Sequence, residues 1–284
     1  MVLQGVITPA GPILSRWMGR CATNAAMQDK DPLATLAWLV EAGADEAIQE
    51  TPVNRLKAPV TPPPVAPMRA HVAPTSTAMP VPSDNIGSAM TAAAAATNLA
   101  ELKAALESFE GSALKHQATN TVFADGVAES RIMLIGEAPG RDEDRIGKPF
   151  VGRAGQLLDK MLASIGLDRT QNCYITNVMN WRPPDNRDPS PEEAVICLPF
   201  LRRHVELVNP KLILLLGAVA ARHVMGISDG IMKTRGRWME YRVGSAMVPV
   251  MPTLHPAYLL RQPAHKKLAW RDLQAFAAKL EELG

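Results

Sequence analysis

The run Leu212-Ile213-Leu214-Leu215-Leu216, entered from Pro210-Lys211 and stopped by Gly217, constrains the fold more than any other stretch of this chain. It is too short to span a membrane and has no polar face, so it reads as a strand covered on both sides. Strands of that kind belong to mainly parallel sheets with helices above and below.

The flanking sequence repeats the theme. Arg131–Ile135, Cys173–Val178, Trp238–Val243 and Val248–Thr253 are short apolar or alternating segments that read as strands. Helical apolar spacing runs through Glu101–Phe109, Gly155–Ile165, Gly217–Met225 and Lys266–Leu283, and Pro191-Glu192-Glu193 opens a helix to about Val208. The expected fold is a three-layer α/β/α sandwich around a central, mainly parallel sheet, whose ligands sit at the carboxyl ends of the strands.

Two other regions precede that domain. Residues 1–57 carry Leu33, Leu36, Leu39, Val40, Ala47 and Ile48 after Asp31-Pro32, the pattern of a short helical segment. Residues 58–96 are dominated by proline and then by the run Ala92–Ala96, which reads as a flexible Pro/Ala-rich linker. A globular domain is expected over 97–284, and tethering to partner proteins is the role suggested for the N-terminal segment.

Composition excludes more than it identifies. With 47% hydrophobic residues the chain can build a core, and no stretch approaches the roughly eighteen apolar residues of a membrane span. No secretory leader pattern is read at the N-terminus, so the cytoplasm is the expected compartment. The cysteines, Cys21, Cys173 and Cys197, are odd in number and widely spaced, which gives neither a disulfide framework nor a metal clip. A net charge of +2 is too small to announce nucleic acid, so that partner must be argued from placement.

Three segments fall at expected strand ends. Gly136-Glu137-Ala138-Pro139-Gly140 leads into an acidic run with Glu143 and then Gly147-Lys148-Pro149-Phe150-Val151-Gly152. Its glycine spacing matches neither a dinucleotide fingerprint nor a phosphate-binding loop. Asn177 ends a strand ahead of Arg182-Pro183-Pro184-Asp185-Asn186-Arg187, and an amide there offers a donor and an acceptor to the edge of a base. His255-Pro256-Ala257-Tyr258-Leu259-Leu260-Arg261 follows the last strand. Singly, each has a structural reading too: a Gly/Pro turn, a strand-end cap, a satisfied histidine.

Taken together, in this order, the segments resemble the family 4 uracil-DNA glycosylases, from about Ala105 to the C-terminus. The resemblance implies an enzyme that flips uracil out of DNA and hydrolyses its glycosidic bond in a catalytic domain at 97–284, with uracil-containing DNA as partner, a monomer as the working form, and repair or replication proteins as the partners that the N-terminal segment would tether. It implies that Glu137 orients the attacking water and that His255 stabilises charge on the departing base. Gly136, Gly140, Glu143, Phe150 and Asn177 would form the uracil pocket, Phe150 by stacking, Asn177 by reading the O4/N3 edge and Glu143 by excluding a thymine methyl. Arg182 and Arg261 would contact phosphates, and Leu259 would wedge into the vacated stack.

The family also implies an iron–sulfur cluster on four cysteines, whose positions here are Ser112, Lys115, Trp181 and Cys197. One thiolate cannot hold a cluster, so no cofactor and no metal ligand is expected. That loss keeps open a catalytically weak uracil-DNA-binding relative and, more remotely, a nucleotide-processing enzyme. The related group that traps the abasic sugar through a histidine in an arginine-rich loop is rejected, because no such insertion occurs near Gly147–Gly152 or Trp181–Pro191.

Overall fold

The computed structural model describes residues 83–283, so the segment at 31–56, Cys21 and the linker residues up to 82 lie outside the described residues. Helices α1 (Ser83–Ala95) and α2 (Leu99–Ser108) come first, followed by strands β1 (Ala124–Gly126) and β2 (Ile132–Gly136) and helices α3 (Arg141–Ile146) and α4 (Arg153–Ala163). Then come β3 (Tyr174–Asn177), α5 (Pro191–Val208), β4 (Leu212–Leu216), α6 (Ala218–Met225), α7 (Ile231–Thr234), β5 (Met239–Val243), β6 (Ala246–Thr253), α8 (Pro256–Arg261) and α9 (Lys266–Leu283). None of the described helices is long and apolar enough to cross a membrane.

The sheet order is β1-β3-β2-β4-β6-β5, with β3, β2, β4 and β6 parallel and the two edge strands antiparallel. The aliphatic run behaves as its composition requires: Ile213 and Leu215 enter the core on one face of the sheet, Leu212, Leu214 and Leu216 the core on the other. Helices α1, α2 and α5 cover the first face, α4 and α9 the second. Register places Gly136 beside Asn177, and Leu216 beside Thr253, so the carboxyl ends of the parallel strands finish level with one another. The segments that continue from them share one rim.

The linker expectation for 58–96 is corrected at its end, because Ser83–Ala95 is a helix. Ala89, Ala93 and Ala96 are buried against the core, and Arg203 Nε donates to the Ala96 carbonyl at 2.9 Å. The alanine run is compositionally simple, but alanine is the strongest helix former and its small side chain lets a helix lie close to its neighbour. Packing therefore extends the domain upstream of residue 97. β1, too short and too mixed to register as a strand, is held on the sheet edge by β3, with Thr176 Oγ1 donating to the Phe123 carbonyl at 2.7 Å.

Candidate active site

A cavity of about 190 Å³ opens at the level strand ends and is lined by Glu137, Glu143, Phe150, Asn177, Asn186 and His255 among others. That is below the roughly 300 Å³ at which pockets for drug-sized ligands begin, a scale that suits one flat ring. Asn177 closes the floor. It is 1% exposed, and neither its amide nitrogen nor its oxygen has a hydrogen-bond partner among the described residues. A buried donor and acceptor left open at a strand end is costly unless a ligand completes them.

Phe150 forms one side. Its ring is buried at the mouth of α4 and lies 5.5 Å from the His255 ring. Its backbone has φ 53, the left-handed region that a bulky residue seldom enters. Gly136 makes room for both ring and amide: a Cβ there would fall 2.5 Å from the Phe150 ring and 2.4 Å from Asn177 Oδ1. Gly136 thus supports the pocket from beneath, while Gly140 lines it directly.

Glu143, on α3, has a more specific task than shaping a wall. One oxygen accepts from the N–H groups of Val151 (2.9 Å) and Gly152 (2.8 Å), the other from Gly140 (3.1 Å). The carboxylate ties the two glycine segments of the first motif into one loop.

Glu137 follows β2 and lines the cavity. Burial, reinforced by Asp188, holds its carboxyl above the usual carboxylate range, while Arg222 and Arg261 oppose the shift. His255 is the N-cap of α8, and its Nδ1 accepts the Ala257 N–H at 3.1 Å. Burial, aided by Arg261, pushes its imidazole down to about 4, so the ring is neutral near pH 7. With Nδ1 engaged as acceptor, the single proton of the neutral ring resides on Nε2. Gly217, at φ +98, lets the backbone pass close behind it, where a Cβ would lie 2.9 Å from His255 Cβ.

The site residues expected from sequence therefore gather, with one correction. Leu259 is 1% exposed and packs into the core with Met161, Ala269 and Leu273, so it cannot wedge into DNA. In a helix adjacent residues point about 100° apart, and the exposed member of the pair is Leu260, at 38%. Arg261 is exposed beside it, and Arg182 is partly buried with its Nε donating to Asn186 Oδ1 at 2.7 Å. Sequence reasoning assigned no role to Pro183, Asn186 and Arg187, which form the far wall. Their signal was already present, since they lie inside the Arg182–Arg187 motif.

Three of the four positions where the resemblance implies cluster cysteines carry Ser112, Lys115 and Trp181. Trp181 is fully buried and its indole N–H donates to Thr121 Oγ1 at 3.0 Å. Lys115 pairs with Glu110, and the Ser112 hydroxyl is buried without a partner among the described residues. Cys197 is buried in α5, where burial pushes its thiol up to about 12.

Comparison with known proteins agrees with the geometry. Residues 123–274 match the family described as the Uracil DNA glycosylase superfamily. The type-4 uracil-DNA glycosylase of Thermotoga maritima is 40% identical over 169 residues, covering 58% of this chain and 86% of that protein. That of Archaeoglobus fulgidus is 45% identical over 149 residues, 51% of this chain and 74% of the relative. A type-5 uracil-DNA glycosylase of Pyrobaculum aerophilum is more distant, at 32% over 148 residues. With its strand ends, cavity and motif order in agreement with that match, the chain belongs to the uracil-DNA glycosylase superfamily, on its type-4 branch.

Proposed function

We propose that this chain removes uracil from DNA by hydrolysing the N-glycosidic bond of a flipped-out nucleotide, leaving an abasic site, and that it does so as a monomer without an iron–sulfur cluster. The observation that carries the reading is the open amide of Asn177 on the floor of a cavity scaled to one ring. Uracil presents an O4 acceptor and an N3–H donor, which complete Nδ2 and Oδ1. Cytosine presents the reverse pair and leaves both atoms unsatisfied, a mismatch that binding sites reject strongly.

The other residues follow from their placement. Phe150 stacks on the flipped ring, a contact that tolerates any base and leaves selection to Asn177. Leaving uracil gathers negative charge at O2, and the Nε2–H of neutral His255 donates to it. A neutral donor keeps its proton, so the base departs as an anion and the rate comes from stabilising that charge. Glu137 as carboxylate orients water against the sugar and faces its developing positive charge. Arg182 and Arg261 flank the opening as phosphate contacts, and Leu260 takes the place expected of Leu259 at the duplex.

The test is an oligonucleotide carrying one uracil, single-stranded or opposite G or A, incubated with the protein and treated with alkali. Uracil-dependent strand breaks that are strongly reduced by Asn177→Ala support the reading. Binding of uracil-DNA without breaks in the wild type would replace it with a relative that keeps the pocket and lacks the chemistry. Stoichiometric iron and a cluster absorbance in anaerobically purified protein would overturn the cluster-free part alone.

A further inference from the structure

Arg169 lies on the loop between α4 and β3, belongs to none of the sequence motifs and does not line the pocket. Its side chain is only 12% exposed, and four of its five N–H groups donate hydrogen bonds. Nε and Nη2 reach Asp159 Oδ1 at 2.8 and 2.7 Å, and Nη1 reaches Asp125 Oδ2 at 3.4 Å. The remaining donors go to two consecutive carbonyls, Nη1 to Pro149 at 3.0 Å and Nη2 to Phe150 at 2.8 Å. Those carbonyls bracket the rotation that holds Phe150 at φ 53. On the other side of the Phe150 carbonyl stands Gly155, where a Cβ would fall 1.8 Å from that oxygen. The carbonyl is therefore gripped between a guanidinium and the first turn of α4.

We propose that Arg169 is the positioning residue for the base-stacking ring: by holding the carbonyls of Pro149 and Phe150, it keeps Phe150 in its disfavoured backbone conformation and its ring facing the pocket. The proposal rests on the reading of Phe150 as the ring that stacks on uracil. Asp125 and Asp159 anchor the guanidinium from β1 and α4, so the aim of the ring is referred to the sheet and a helix rather than to the loop itself. Lysine cannot replace this fork, because its ammonium is a single point with three donors. The expectation is specific: without Arg169 the loop relaxes, the ring turns away, and what is lost is the stack and nothing else in the site.

A double-mutant cycle separates that role from general support of the fold. Arg169→Gln and Arg169→Lys are each expected to lower kcat/KM on a single-stranded uracil oligonucleotide about 5- to 100-fold, the scale of one base–aromatic stack. Phe150→Ala is expected to lose a similar factor, and adding Arg169→Gln to it to lose nothing further. Binding of an abasic oligonucleotide, which has no base to stack, should be unchanged in all of them. An active wild type in which the two losses multiply, or in which abasic binding falls in step, overturns the proposal alone. A wild type that releases no uracil overturns the enzyme reading, and this proposal with it. If neither Arg169 variant folds, Asp159→Asn, whose carboxylate is half-exposed, loosens the same fork. It should give a smaller loss that vanishes in the Phe150→Ala background, and a loss that persists there, or no loss at all, also overturns the proposal.

Discussion

The two walls of the pocket are held by different forces. On the Gly136–Gly152 side, charged groups bond to backbone: Glu143 to Gly140, Val151 and Gly152, and Asp144 to the N–H groups of Thr119 and Asn120. The opposite wall, Pro183–Arg187, has the exposed pairs Arg182–Asn186 and Arg187–Glu193, and immediately before it the buried indole of Trp181. Charge-assisted bonds to backbone fix a loop in direction as well as position, while exposed ion pairs contribute little to stability. The second wall therefore depends more on apolar burial, and the fully buried Trp181, two residues ahead of it, is the largest side chain anchoring that stretch to the core. Asp185 and Asn186 in that wall adopt the left-handed region, at φ 54 and 52, a conformation the underlying packing must enforce.

Trp181→Ala should accordingly have the largest effect of any change that spares the reacting groups. It leaves a cavity in the core just ahead of the second wall, and a Trp-to-Ala core deletion typically costs about 3–5 kcal/mol. Denaturant unfolding should register that loss, and KM for uracil-DNA should rise in the folded fraction. Trp181→Phe keeps most of the volume but leaves the Thr121 hydroxyl without its donor, so it should fall between the two. Near-wild-type stability in Trp181→Ala would show the second wall to be held by its polar pairs after all, and the contrast between the walls would collapse.

Between the walls, the chemistry should respond to pH through one of them only. His255→Ala removes a donor to developing charge, a loss that costs about 10²- to 10³-fold in kcat, and with it the cap of α8, which lowers stability by about 1 kcal/mol. Since burial pushes His255 down to about 4, its protonation lies below the working range. The acid limb of the wild type then belongs to Glu137, whose carboxyl burial holds above the usual range. Water orientation needs the carboxylate, so kcat/KM should fall as pH drops through that raised pKa, at higher pH than an exposed glutamate would give. In Glu137→Gln the profile should be flat there, at a lower level; a limb that survives the substitution assigns it elsewhere.

The same contrast explains what the sequence disclosed. The strands other than β1, together with α5 and α9, were legible because their apolar periodicity is local, and the site residues Glu137, Phe150, Asn177 and His255 because each sits in a motif that starts from a strand end. Leu259 misled because a motif gives chain position and not rotation: one step along a helix separates a core side chain from an exposed one. Arg169 was illegible for the opposite reason. Its partners, Asp125, Pro149, Phe150 and Asp159, are scattered through the chain, and only the folded sheet brings them to one guanidinium. The helix at Ser83–Ala95 was hidden by its composition, since a buried alanine face has too little side chain to stand out from a linker.

The smallest expected effect is the sharpest probe of the second wall. Arg187 bonds both oxygens of Glu193, at 2.9 and 2.6 Å, but is itself half-exposed. Glu193 also completes the capping box of α5 with Ser190, so replacing it would remove a helix cap as well as an ion pair. Arg187→Ala leaves that cap intact and removes the pair alone. It should change stability by less than about 1 kcal/mol and leave kcat unaltered. Any rise in KM should be a few-fold at most and should shrink as salt screens the site. Urea unfolding and steady-state kinetics at low and high salt measure both quantities. A loss on the scale of Trp181→Ala, insensitive to salt, would mean that Arg187 acts on the bound base and not on the wall, and would move it from the scaffold into the pocket's chemistry.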